Sequence, residues 1–241
     1  MPTVGRDDAT AAIAERLAIV GAEIDAAVRA RGDGPSVRLV AVSKRWPAGA
    51  VQAAIAAGQL EFGENYAQEL REKRETLAST KAHWHFIGAL QSNKVPSVLG
   101  STLIHTIDRP SVLTALDNRA QRDGIDQSVL VQVNVAAEAG KAGVAVRDLA
   151  ALLDHFADLA RVRCHGLMVI PPAGAPEATR PHFAALRRLA EHHGKTARAG
   201  VALDELSMGM SADYPVAIQE GATIVRVGTA IFGARPQAPT G

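Results

Sequence analysis

Leu39-Val-Ala-Val-Ser-Lys44 closes a short apolar, β-branched run that begins at Val37 and reads as a fully buried strand. Lys44 stands just past its end, and Arg45, Trp46, Pro47 and an Ala-rich helical segment follow. A buried parallel strand delivers its carboxyl end to the place where α/β folds build their sites. Alone, such a lysine reads first as a surface residue, because lysine is rarely fully buried. The rest of the chain shifts that balance.

Upstream, Ile13, Leu17, Val20, Ile24 and Val28 recur three and four apart, so 7–31 is expected to be an amphipathic helix, ended by Gly32-Asp-Gly-Pro35. Downstream, strands are expected at 60–62, 83–87, 102–107, 128–135, 162–170, 203–207 and 223–227, after the first at 37–42. Helical segments separate them, at 48–57, 66–77, from 91 onward with Ser92 as a cap, from Pro110 to 121, 146–159, 177–192 and 212–219, with a last turn after 228. Strict alternation of strand and helix implies parallel pairing, and eight such units close a (β/α)8 barrel, an α/β TIM barrel carrying one extra N-terminal helix. A doubly wound open sheet is the alternative if fewer strands form. The domain is expected over 7–235, with a disordered Ala/Pro-rich tail at 236–241.

Composition excludes several classes of function. The 241 residues suit one barrel, and 26 basic against 25 acidic side chains leave no electrostatic footprint for nucleic acid. No apolar stretch is long enough for a membrane span, and the first residues, Met1-Pro-Thr-Val-Gly-Arg-Asp-Asp, lack the apolar core of a signal peptide. Cys164 is the only cysteine, so no internal disulfide can form; a small core residue and a cytoplasmic protein are expected. No histidine or cysteine spacing resembles a zinc site.

In a barrel the strand ends face one cavity. Here they supply Lys44, Asn65, Gly88, Asp108, Asn134, Met168, the turn Met208-Gly-Met-Ser211 and the segment Arg226 to Thr229. Gly209-Met-Ser211 precedes a helix that Ser211 is placed to cap, and Gly228-Thr229 follows the last strand directly. Backbone N–H groups at such turns bind phosphate, and the loops after the seventh and eighth strands are the frequent phosphate site of barrels. Gly228 to Gly233 has the glycine spacing of a P-loop, but Ala234-Arg235 stands where Lys-Ser/Thr is needed. A phosphate cradle opposite a lysine suggests a phosphorylated carbonyl compound held as a Schiff base. A free lysine has a pKa of about 10.4, so burial or a neighbouring cation must assist its deprotonation. Arg226 shares a strand face with Gly228, and an arginine inside a barrel needs a partner, whether a core salt bridge, a ring nitrogen or a phosphate.

Val42-Ser-Lys44, Phe62-Gly-Glu-Asn-Tyr66, Trp84-His-Phe-Ile-Gly88, Leu90-Gln-Ser-Asn-Lys94, His105-Thr-Ile-Asp108, Gly166-Leu-Met168, Leu206-Ser-Met-Gly-Met-Ser211 and Val225-Arg-Val-Gly-Thr-Ala-Ile-Phe-Gly233 resemble, in order, the pyridoxal phosphate homeostasis protein family of the YggS/PROSC type. The resemblance runs from about residue 10 to 235; Ala89 departs from it, where the family has proline. It implies a fold type III barrel like the N-terminal domain of alanine racemase, binding pyridoxal 5′-phosphate (PLP). By that resemblance Lys44 forms the covalent aldimine, Ser211, Gly228 and Thr229 contact the phosphate, and Arg226 meets the pyridine nitrogen. Asn65, Met168, Ser207 and Met210 would line the pocket. The family is thought to buffer PLP inside the cell and hand it to apoenzymes.

A weak PLP-dependent racemase or lyase is the alternative to a non-catalytic carrier, and a cofactor-free Schiff-base aldolase is a more distant one. Arginine does not protonate a pyridine nitrogen, so the ring is a weaker electron sink than one paired with a carboxylate. The chain ends soon after the eighth strand, so the second domain and dimer contact of the racemases are expected to be missing, and a monomer is expected. Tyr66, His85, His105 and Tyr214 remain as candidate bases, though His85 and His105 lie within strands and read as satisfied core histidines. Asp108 reads as an orienting group or as a cap for the helix at Pro110. Lys94 and Lys141 read as solvated side chains rather than a second ligand site.

Overall fold

The computed structural model describes residues 4–138 and 140–234, with side chains described from Thr10 onward. Eight strands form as expected: β1 (Arg38–Val42), β2 (Glu61–Glu64), β3 (His83–Phe86), β4 (Leu103–Ile107), β5 (Gln127–Asn134), β6 (Val162–Met168), β7 (Val201–Ser207) and β8 (Ile224–Val227). Each pairs in parallel with its chain neighbour, and β8 pairs with β1, which closes the barrel. The helices are α1 (Val4–Arg31), α2 (Ala48–Ala56), α3 (Ala67–Thr76), α4 (Val95–Val98), α5 (Pro110–Asp123), α6 (Leu149–Asp154), α7 (Pro176–Gly194), α8 (Tyr214–Gln219) and α9 (Thr229–Phe232). The tail expected at 236–241 lies outside the described residues, as does Arg235 at the expected domain end.

Side-chain alternation along the strands divides the core in two. Outward positions such as Ala41, Phe62, Ile104, Val131 and Val225 pack against the helices in one large cluster. Inward positions Val40, Leu103, Leu130, Met168 and Ile224 form a separate small cluster inside the barrel. Of the spaced apolar residues of α1, Ile13, Val20 and Ile24 are buried, and the helix packs on α2, α8 and α9.

Three local expectations change. The segment 146–159 is not one helix: 3-10 turns at Val146–Asp148 and His155–Asp158 flank α6, although Leu149, Leu152, Leu153 and Phe156 are buried at the spacing that signals a helix. Before it, Val144–Ala145 forms a two-residue strand beside the end of β5, in a stretch too short to carry a periodic signal. Ser92 does not cap; it is the first residue of a 3-10 turn whose N-cap position is Gln91.

One buried carboxylate ties a helix to the start of a strand. Asp117 on α5 accepts the N–H groups of Ala160, Arg161 and Val162, at 3.2, 2.7 and 3.1 Å, and the side chain of Gln121. Burial alone would raise its pKa, but the donors of Arg161 and Ala160 lead a set that holds it below the ordinary value. Asp117→Ala leaves three N–H groups at the mouth of β6 without this acceptor. We expect a stability loss of about 3 kcal/mol in urea denaturation at pH 7; a loss within error of zero would show that water replaces the carboxylate at no cost.

Candidate functional site

Seven of the nine expected site residues meet in one cavity at the carboxyl ends of the strands. Lys44, Asn65, Met210, Ser211, Arg226, Gly228 and Thr229 line a space of about 290 Å³, together with Val42, Ile87, Ile170 and Ala212. That volume lies at the lower end of small-molecule pockets. Met168 and Ser207 do not line it, contrary to expectation. Both are fully buried one layer below, because their strand positions point into the barrel: Met168 joins the interior apolar cluster and Ser207 bonds to Arg226. Val42, Ile87 and Ile170 carried no polar signal in the sequence, and only the inward parity of their strands marks them.

The lysine reaches the cavity because β1 ends at Val42 and the chain turns at once. Arg45 adopts a left-handed φ of 65°, and Trp46 stacks on Phe232 of α9 with ring centroids 5.9 Å apart. That contact fastens the lysine turn to the helix after Gly228. Beyond the end of β3, Gly88 has no room for a side chain: a Cβ would lie 1.8 Å from the carbonyl oxygen of Asn65. The contact holds the Asn65 backbone at the rim.

Ser211 has a different role from helix capping. The helix α8 starts at Tyr214, and Asp213 takes the N-cap position while its carboxylate accepts the Met210 N–H at 2.7 Å. The Ser211 hydroxyl instead accepts the N–H groups of Gly228 and Ala230, at 3.1 and 3.4 Å. Two turns that were read separately are therefore joined, with a hydroxyl and backbone donors on one side of the cavity. Gly209 permits this: its φ is 90°, and a Cβ would stand 2.6 Å from Ala217.

Arg226 lies on the cavity floor, only 4% exposed. It donates to Ser207 Oγ at 2.6 Å and to the Val169 carbonyl at 2.9 Å. Burial lowers its pKa to about 10, with Asp213 acting the other way, so the guanidinium remains a cation at neutral pH. Below it a chain of polar groups runs down the barrel. His105 Nδ1 lies 2.8 Å from Ser207 Oγ, His105 Nε2 lies 2.9 Å from His85 Nδ1, and His85 Nε2 lies 2.6 Å from Glu61 Oε2. Burial, with the Arg226 cation acting in the same direction, pushes His105 well below the ordinary histidine range, so it is neutral. We assign the protons from the top. Ser207 receives from Arg226 and donates to His105, which donates to His85, which donates to Glu61. His85 and His105 are thus the satisfied core histidines expected of them.

The other candidates lie elsewhere. Tyr214 is buried and donates to Glu23 of α1; burial and that carboxylate push its phenol up. Tyr66 is exposed at the rim, beneath the guanidinium of Arg45. Asp108 pairs with Arg109 at 2.6 Å and makes no cap, since Arg109 holds the N-cap position of α5. Asn134 braces the backbone of Glu138, and exposed Lys141 pairs with that residue's carboxylate. Lys94 is exposed, and Cys164 is buried with its thiol pushed up to about 12. Among the described residues lining the cavity, the titratable groups are Lys44 and Arg226.

The sequence model of the alanine racemase N-terminal domain matches residues 25–236. The pyridoxal phosphate homeostasis protein of Pseudomonas aeruginosa is 45% identical over 226 residues, covering 92% of this chain and 96% of the relative. That of Aquifex aeolicus is 42% identical over 224 residues, covering 92% and 97%. The structure of PipY from Synechococcus elongatus with PLP bound superposes with a TM-score of 0.81 at 40% identity, over 92% of this chain and 100% of PipY.

The polar chain sets an acid response. Burial would raise the pKa of Glu61, but hydrogen bonds from His85 and His83 outweigh it and hold the carboxyl at about 2, against 4.5 ordinarily. A depressed folded-state pKa adds stability that is full above about 4.5 and is lost as pH falls towards about 2. Glu61→Gln should therefore lower the urea midpoint at pH 7, by about 1–3 kcal/mol in stability, and the gap from wild type should close between pH 4.5 and 2. Parallel curves for the two proteins across that window would refute the assignment.

Proposed function

We propose, from the premise that this chain belongs to the alanine racemase N-terminal domain family and within it to the pyridoxal phosphate homeostasis proteins, that it binds PLP in the strand-end cavity and holds it covalently on Lys44 for supply to other proteins. The observation that carries this reading is the shared cavity of one lysine, the Ser211–Gly228 turn and a buried arginine. The residues fit the cofactor group by group. The Ser211 hydroxyl proton and Thr229 offer donors to a phosphate, Gly228 holds Ser211 in place through its own N–H, and no carboxylate lines the cavity among the described residues. Arg226 offers a fixed donor to a ring nitrogen. Val42, Ile87, Ile170 and Met210 supply apolar surface for the ring. Lys44 would hold the aldehyde end of the cofactor, its amine supplying a covalent attachment that releases one water and that water can reverse. PLP itself, when bound, supplies an electrophilic aldehyde and an electron-accepting ring.

The same lining favours a carrier over an enzyme. Racemisation or elimination moves a proton at a substrate carbon and requires a positioned base. Beyond Lys44, the titratable lining group among the described residues is an arginine that stays protonated. Arg226, which stays protonated, would leave a ring nitrogen beside it without a proton and so would limit a bound ring as an electron sink. His85 and His105, which carry basic nitrogens, spend them on one another and on Ser207 and Glu61. We further propose a monomer that works in the cytoplasm and passes PLP to apoenzymes. No helix among the described residues is long and apolar enough to cross a membrane.

The test is spectroscopic. Purified protein supplied with PLP should show a near-visible band that borohydride removes, with the reduced cofactor recovered on the Lys44 peptide. Lys44→Ala should lose the borohydride-stable label entirely. A label on another lysine, or an undiminished band in Lys44→Ala, would overturn the assignment. Exchange of an amino-acid α-proton with solvent that depends on Lys44 would overturn the carrier reading and leave PLP binding intact.

A further inference from the structure

Behind the lysine turn, on the helix side of the barrel wall, lies a second charged cluster that the cavity does not use. Lys73 of α3 is 5% exposed, yet its ammonium donates three hydrogen bonds. They go to the Ser43 carbonyl at 2.7 Å, to Glu64 Oε1 at 2.6 Å and to Glu69 Oε1 at 2.8 Å. Glu69 Oε1 also accepts the N–H of Arg45 at 2.6 Å. Glu64, at the end of β2 and next to Asn65, accepts the Ser43 hydroxyl at 2.6 Å.

The positions of these bonds along the chain give them meaning. The Ser43 carbonyl belongs to the peptide plane before the Cα of Lys44, and the Arg45 N–H belongs to the plane after it. Both planes are anchored to one helix, one through an ammonium and the other through its carboxylate partner. The backbone has two soft dihedrals per residue, so fixing both flanking planes fixes the direction in which the Lys44 side chain leaves the main chain. The same Ser43 carbonyl accepts the Trp46 N–H at 3.0 Å, closing a turn in which Arg45 is left-handed, a conformation that costs a non-glycine residue free energy unless its surroundings enforce it.

Stability alone is a poor reason for this cluster. A buried ion pair contributes little net stability compared with well-packed apolar side chains, because both ions must be desolvated. The cost shows at Glu64: it is fully buried, its Oε2 has no hydrogen-bond partner among the described residues, and desolvation pushes the carboxyl up to about 7 despite Lys73.

We propose that Lys73 and Glu69 are positioning residues for Lys44, a clamp from α3 that aims its amine at the carbonyl carbon of the ligand in the cavity. The inference rests on the reading of Lys44 as the covalent lysine. Neither clamp residue lines the cavity, and both reach Lys44 through the two peptide groups beside it.

The experiment compares two ligands that share ring and phosphate. PLP can bond to Lys44; pyridoxine 5′-phosphate, which has an alcohol in place of the aldehyde, cannot. In Lys73→Met and Glu69→Ala, the rate of the PLP band's appearance should fall at least about tenfold, a scale set by the cost of misplacing a reacting group. Binding of pyridoxine 5′-phosphate should stay within about twofold of wild type on the same scale. Lys73→Arg should recover part of the rate. Equal losses for both ligands would mean the pocket itself has collapsed and would overturn the proposal, as would an unchanged PLP rate. If Lys73→Met does not fold, Glu69→Ala decides, since its side chain is partly exposed and its removal leaves the Lys73–Glu64 pair in place. Lys44→Ala, run alongside, separates the two readings. If that variant still gives the borohydride-stable product, the covalent-lysine reading fails and takes the clamp with it; if the product is lost in Lys44→Ala while the PLP rate is unchanged in Lys73→Met and Glu69→Ala, the clamp alone is overturned.

Discussion

A guanidinium buried inside a β-barrel sets the terms for the rest of the interior. Arg226 keeps its charge, so its buried donors must be matched by acceptors. The answer is a single file of donors and acceptors through Ser207, His105 and His85 to Glu61. Each member has a forced role. Ser207 must accept from Arg226, His105 must be neutral, and Glu61 must be ionised. A break at any point leaves a buried polar atom unmatched, which costs more than an ordinary hydrogen bond contributes. The barrel is therefore packed in layers of different chemistry: an apolar layer of Val40, Leu103, Leu130, Met168 and Ile224, and a polar file beside it.

That file explains how a cation comes to stand in a cavity otherwise lined by Val42, Ile87, Ile170 and Met210. Two of Arg226's N–H-bearing nitrogens are held from below, by Ser207 and by the Val169 carbonyl, so its plane is fixed before any ligand arrives. A donor fixed in advance costs little reorganisation when a ligand binds. The phosphate side is prepared in the same way. Ser211 already joins two turns through the Gly228 and Ala230 N–H groups, and Asp213 secures the turn behind it.

Much of this architecture was legible in the residues. The alternation of apolar runs with helical spacing specified the barrel, because parallel strands buried on both faces carry continuous Val, Ile and Leu runs that turn residues punctuate. Lys44, Asn65, Ser211, Arg226 and Gly228 were legible for a second reason: each falls at or just beyond a strand's carboxyl end, and a barrel gathers those ends. Met168 and Ser207 also belong to strand ends, yet they lie beneath the cavity. Position along a strand gives the face but not the depth, and one layer separates a lining residue from one buried beneath the cavity. Ser211 misled for a different reason. A serine before a helix is a good cap, and the competing claim of Asp213 depends on how the turn folds.

Lys73 marks the limit of such reading. In the sequence it sits in a charged helical stretch, among Glu69, Arg71, Glu72, Arg74 and Glu75, where a solvated face is the default. Its helix carries few apolar residues, and among the described ones Ala67, Leu70 and Lys73 face the barrel. Spacing places residue 73 on the face of Leu70, three positions on, so the pattern does contain the fact that this lysine points inward. What the pattern cannot supply is the partner. Glu64 and the Ser43 carbonyl come from two other strand ends, and it is the parallel pairing of β1 with β2 that brings them to α3. A charge on the buried face of an otherwise polar helix is a local inconsistency, and such inconsistencies concentrate where structure has been set for a purpose other than packing. Here it stands directly behind the one lysine that lines the cavity.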